Sequence, residues 1–92
     1  MMSEVLEKFF KDGKLIMIPK KLPMKYLLFD YFYDNFEIDV NYSEKEVNEL
    51  LKNYYDDYAI LRRYLVDFNY LVRDNHGKNY TKAAENPNTI HK

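Results

Sequence analysis

Ninety-two residues and 11.2 kDa make one domain, since domains run ~100–150 residues, and exclude a two-domain enzyme or an α/β barrel. The chain has no Cys, which excludes disulfides, Cys-bound zinc, iron–sulfur clusters and thiol catalysis. Fourteen Lys and Arg stand against 15 Asp and Glu, a net charge of −1, so the chain is not a globally basic nucleic-acid binder and any anion site must be a local patch.

Residues 3–11 are expected to form a short helix, with Val5, Leu6, Phe9 and Phe10 on one face. Asp12-Gly13 breaks it. Lys14-Leu15-Ile16-Met17-Ile18 reads as a short strand that Pro19 stops, because proline has no N–H to give a ladder. A helix is expected over 23–36. Pro23 suits its first turn, and Leu28, Phe32 and Phe36 repeat every four residues beside Phe29 and Tyr33. Glu37 to Tyr42 alternates polar and apolar, as a very short extended piece does.

The clearest local signal is Ser43-Glu44-Lys45-Glu46. It matches a capping box, and Tyr42 and Val47 match the flanking hydrophobic staple. The helix it opens, 44–54, carries Val47, Leu50, Leu51 and Tyr54 at i, i+3, i+4 and i+7. Asp56 or Asp57 caps the next helix, 57–68, whose core stripe is Leu61, Tyr64, Leu65 and Phe68. Asn69 follows as a left-handed C′ residue. Tyr70-Leu71-Val72-Arg73 and Asn79-Tyr80-Thr81 read as the strands of a hairpin around Asp74-Asn75-His76-Gly77-Lys78.

This order implies an α+β, winged-helix-like domain over residues 1–82. It has a three-helix core, a C-terminal β-hairpin wing, and an N-terminal helix and short strand besides. The early strand is expected to pair with the hairpin edge. Residues 83–92, with Pro87 and little apolar surface, are expected to be a flexible C-terminal tail.

Several stretches also resemble one family. Asp12-Gly13-Lys14-Leu15 and Ile18-Pro19-Lys20-Lys21 look like the start of the DUF2087 domain family. The likeness continues through Tyr42 to Asn48 and is strongest at Asp57-Tyr58-Ala59-Ile60-Leu61-Arg62-Arg63-Tyr64-Leu65-Val66-Asp67. It ends with Leu71-Val72-Arg73-Asp74 and Tyr80, covering about residues 12–82. The resemblance implies a bacterial domain of unassigned function, often attached to helix-turn-helix transcriptional regulators and also found alone. Tyr58 stands where His is expected in many relatives, so no imidazole role carries over there. Asn69 stands where Gly is expected and keeps the helix-ending chemistry.

Arg62 and Arg63 are the first candidates for nucleic-acid contact. On a helix whose core stripe is 61/64/65/68 both point away from the core, where guanidiniums can reach phosphates or a base edge. Lys20, Lys21 and Arg73 join them if the early strand and the wing lie nearby, and Lys78 and Lys82 can reach phosphate from the wing. The competing reading is structural. Arg63 lies four before Asp67, a pair worth ~0.3 kcal/mol, and Arg62 can bridge to an acid of the preceding helix. Asp56-Asp57 at the start of the proposed recognition helix oppose phosphate.

Tyr55, Tyr31 and Tyr33 are the candidates for an exposed aromatic interaction surface, whereas Tyr54 and Tyr58 are expected in the core. The acidic stretch 39–57 holds six acids and two Lys, which favours a basic protein partner. No catalytic residue, cofactor or metal site is expected. The two His, at 76 and 91, lack metal-ligand spacing, there is no glycine-rich phosphate loop, and no nucleophile–base set is visible. No apolar run approaches the ~20 residues of a membrane span, and the N-terminus is not a signal peptide. The expectation is a cytoplasmic, non-enzymatic DNA-binding domain for transcription regulation. The alternative is a protein-interaction or dimerisation module, partnered by another protein or a second copy.

Overall fold

The structure, a computed structural model, describes residues 4–76 and 78–90. Ser3 of the expected first helix, Gly77 of the hairpin turn, and His91 and Lys92 of the tail lie outside these, as does the side chain of Val5. Three main helices form the centre: α2 (Leu22–Tyr33), α3 (Glu44–Lys52) and α4 (Tyr58–Asp67). Before them come α1 (Glu4–Glu7), β1 (Phe10–Lys11) and β2 (Lys14–Leu15). Between α2 and α3 lies β3 (Tyr42–Ser43), and after α4 come β4 (Leu71–Arg73), β5 (Asn79–Lys82) and α5 (Pro87–Ile90). The architecture is a mixed α+β domain with two small antiparallel sheets.

The core explains the helices. Leu28, Phe29 and Phe32 of α2, Val47 and Leu51 of α3, and Leu61 and Leu65 of α4 are all fully buried. Each such side chain contributes ~1.5–3 kcal/mol by leaving water. Tyr70, Leu71 and Tyr80 close the core from the sheet side. Helix starts follow the local chemistry. The Ser43 hydroxyl accepts from the Glu46 N–H at 3.1 Å, and the Glu46 carboxylate accepts from the Ser43 N–H at 3.0 Å. This capping box draws the Glu46 carboxyl below its usual range, chiefly through the Ser43 backbone hydrogen bond and then its hydroxyl. Asp57 caps α4 by accepting from the Ile60 N–H at 3.3 Å. Asn69 ends it at φ 67°, the left-handed conformation Asn tolerates.

The N-terminal region departs from expectation. The first helix is one turn rather than nine residues, and Phe10-Lys11 pairs instead with Lys14-Leu15. Asp12 and Gly13 both have positive φ, 53° and 80°, as a two-residue type I′ hairpin loop requires. The strand at 14–15 therefore has its own partner and does not add to the C-terminal hairpin. That edge is taken by β3, giving the order β3-β5-β4 with Tyr42 opposite Tyr80 and Arg73 opposite Tyr80.

Residues 83–90, expected as a flexible tail, make specific contacts. The Ala83 N–H donates to the Tyr70 carbonyl, Pro87 is buried, and the Asn86 and Asn88 amides donate to Asp30 at 2.9 and 2.8 Å. Asp30 also accepts from the Tyr70 hydroxyl at 3.0 Å, so one carboxylate ties α2 to the strand entry and to the chain end. Burial and then the Asp30 charge push the Tyr70 phenol well above its ordinary value. Among the described residues no helix is long and apolar enough to cross a membrane.

Candidate nucleic-acid interface

Helix α4 and the β4–β5 hairpin leave an open groove of about 600 Å³ between them. The sheet register builds one wall. Directly paired residues on neighbouring strands present side chains to the same face, so Arg73 shares the face of Tyr80. Tyr80 is buried as the floor, and Arg73 stands exposed at the rim. The other wall is α4, which offers Arg62, Arg63, Val66 and Asp67, with Asp57 at its N-terminal end.

The two adjacent arginines differ. Arg63 is 77% exposed and lies 3.9 Å from Asp67, its i,i+4 neighbour. A surface pair of this kind contributes ~0.3–0.5 kcal/mol and leaves the guanidinium free to exchange partners. Arg62 is only 21% exposed. It donates to the Asn48 side chain and lies 3.7 Å from Glu44, both on α3. Glu44 accepts in turn from the Tyr80 hydroxyl at 3.0 Å, and its N–H donates to the Lys78 carbonyl. Arg62 thus joins α3, α4 and the sheet through one carboxylate. Burial and then the Glu44 hydrogen bond raise the Tyr80 phenol, while Arg62 and Arg73 pull it down. Both guanidiniums therefore bear on the groove floor.

Of the sequence candidates, Arg62, Arg63 and Arg73 come together. Lys78 lies on the hairpin, next to the start of α3, outside the groove lining. Lys20 and Lys21 do not join: they border a separate, shallower depression with Lys8, Met17 and Met24. Lys82 is engaged elsewhere, donating to the Phe36 carbonyl and lying 4.2 Å over the Tyr33 ring. The aromatic candidates need correction. Tyr33 is 8% exposed, its hydroxyl donates to the Ala83 carbonyl, and its ring meets Tyr70. Tyr31 is half-buried between Phe10, Phe32 and Tyr54, and Tyr55 is half-buried against the core. Tyr33 is therefore a core residue, while Tyr31 and Tyr55 keep part of their surface in water.

The bridge from Arg62 to an acid of the preceding helix is the one expected from sequence, and the acid is Glu44; sequence reasoning missed Asn48 and Asp30. Glu44 and Asn48 are four apart on α3, the spacing that puts both on one helix face. Asp30 sits inside the apolar run of α2, where an isolated carboxylate needs donors. Among the described residues there is no group of His, Asp or Glu able to hold a metal ion.

An α+β domain whose α4 helix and C-terminal hairpin frame an arginine-lined groove is the class these features define. The chain belongs to the DUF2087 family, described as an uncharacterized protein conserved in bacteria, which matches residues 14–82. No curated protein and no solved structure matches it.

Proposed function

We propose that this domain is a winged-helix-like, non-enzymatic module that binds duplex DNA in the bacterial cytoplasm, in a regulatory role. In this reading α3 and α4 are the helix-turn-helix and β4–β5 is the wing. The order helix, strand, helix, helix, strand, strand and the central place of β5 between β3 and β4 support that topology. The observation that carries the function is the meeting of Arg62, Arg63 and Arg73 on one groove. Arg63 and Arg73 are the phosphate contacts, because both are exposed and neither is buried against another element. Arg62 positions α4 against α3 rather than reaching DNA.

Asp57 and Asp67 also line the groove. With Arg62 paired to Glu44, Arg63 and Arg73 face these two carboxylates, so binding is weak at physiological salt and driven by phosphate contacts. Labelled duplex DNA, titrated at low salt and followed by fluorescence anisotropy, tests this. Binding is expected, and none at low salt eliminates the reading. Asp57→Asn is the sharper variant: Asn caps a helix as well as Asp does, so α4 stays intact while the groove loses a negative charge. Tighter binding is expected. Unchanged binding means that DNA does not enter this groove.

A further inference from the structure

Five large apolar side chains are exposed among the described residues: Ile16, Met17, Leu22, Ile38 and Val72. One of them, Met17, lines a depression of about 420 Å³ together with Phe9, Pro19 and Met24. The charged residues on its lining are all lysines: Lys8, Lys20 and Lys21. Another, Ile38, is 51% exposed at the tip of the loop after α2, between the exposed acids Glu37 and Asp39. That tip is held in shape. Asp39 turns at φ 61° and the Glu37 N–H donates to the Tyr42 hydroxyl at 2.8 Å. An apolar hollow rimmed by positive charge and an aliphatic knob flanked by negative charge are complementary in polarity and sign.

Within one molecule the two do not meet. The hollow lies at the N-terminal end of α2 and the tip beyond its C-terminal end. Twelve helical residues span about 18 Å. We infer that two copies of this chain associate with their α2 helices antiparallel, each placing Ile38 in the other's lysine-rimmed hollow. A two-fold arrangement satisfies both contacts at once and closes the assembly, whereas head-to-tail repetition would propagate without end. Met17 and Ile38, two of the five exposed large apolar side chains, then lie at one interface. The contact is small, so the dimer is a weak one, and its charge pairs make it weaker still as salt rises.

Sedimentation velocity without nucleic acid tests this independently of the arginine groove. The chain is expected to pass from one copy to two as concentration rises. Ile38→Asp changes an exposed side chain, leaves the circular dichroism spectrum intact, and weakens association tenfold or more. Glu37→Lys with Asp39→Asn reverses the tip, and Lys20→Glu with Lys21→Glu reverses the hollow. Each double variant alone is expected to be a monomer, and the equimolar mixture to form dimers again. Four results would overturn the inference. These are a monomer at ~1 mM, where even a contact of only about −4 kcal/mol is half formed; a dimer indifferent to Ile38→Asp; growth beyond two copies; and a mixture that stays monomeric.

Discussion

Between Tyr42 and Lys82 both helices start on hydrogen-bonded side-chain caps, and each strand pairs with a neighbour in the three-stranded sheet. Between Glu4 and Leu22 the helix is one turn, the strands are two residues each, and the link to α2 exposes Ile16 and Met17. The N-terminal arm nevertheless buries Leu6 and Leu15 and donates the Leu15 N–H to the Tyr54 carbonyl. A two-stranded hairpin is marginal alone. The arm therefore depends on the body for its shape, whereas the body makes its own core from α2, α3, α4 and the sheet.

That asymmetry can be broken experimentally. Leu61→Ala or Leu65→Ala removes a fully buried side chain from the body and is expected to cost about 2–5 kcal/mol in chemical denaturation. Leu15→Ala is expected to release the arm locally. Hydrogen exchange would quicken at the Leu15 and Ile16 amides while α3 and α4 keep their protection. Protection lost everywhere would show that arm and body fold as one unit.

Ser43→Ala removes a cap and is expected to cost about 1 kcal/mol. Glu46, the other half of the box, gives a pH signature. Its folded pKa lies below its ordinary value, so its contribution is present above the ordinary glutamate pKa and fades as pH falls through the lower folded value. Glu46→Gln should flatten that part of the acid stability profile. A profile identical to that of the unsubstituted chain would show that the box does not couple to folding. Smallest is the Arg63–Asp67 pair, for which a double-mutant cycle is expected to return ~0.3–0.5 kcal/mol. A coupling several times larger would mean that Arg63 is held in place and not free for a ligand.

The same contrast decides how much was legible in the sequence. The body announces itself locally, through Ser43 and Glu46, the stripes of α3 and α4, and Asn69 at a helix end. In the arm the signals are short and ambiguous. Phe9 and Phe10 satisfy a helix face or a strand equally, and Asp12-Gly13 breaks a helix but equally turns a hairpin. Only the pairing of Phe10 with Leu15 decides between them. The alternation over 37–42 suggests an extended piece there, but residues 38–39 turn and the strand β3 is only Tyr42–Ser43, set by Tyr80 lying opposite Tyr42, a long-range fact. The site was legible as residues but not as directions. Arg62 and Arg63 are neighbours, yet the crossing of α4 on α3 turns Arg62 toward Asn48 and Glu44 and leaves Arg63 in water. Lys20 and Lys21 join them only if the early strand lies beside the C-terminal hairpin, and the separate N-terminal hairpin removes that premise.

The salt dependence of DNA binding tests the central claim most directly. Each phosphate contact contributes ~0.9 to the slope of log K against log salt. Arg63→Ala with Arg73→Ala should therefore flatten the slope by about 1.8, with the fold unchanged by circular dichroism. An unchanged slope in that variant would contradict the assignment of this groove to DNA.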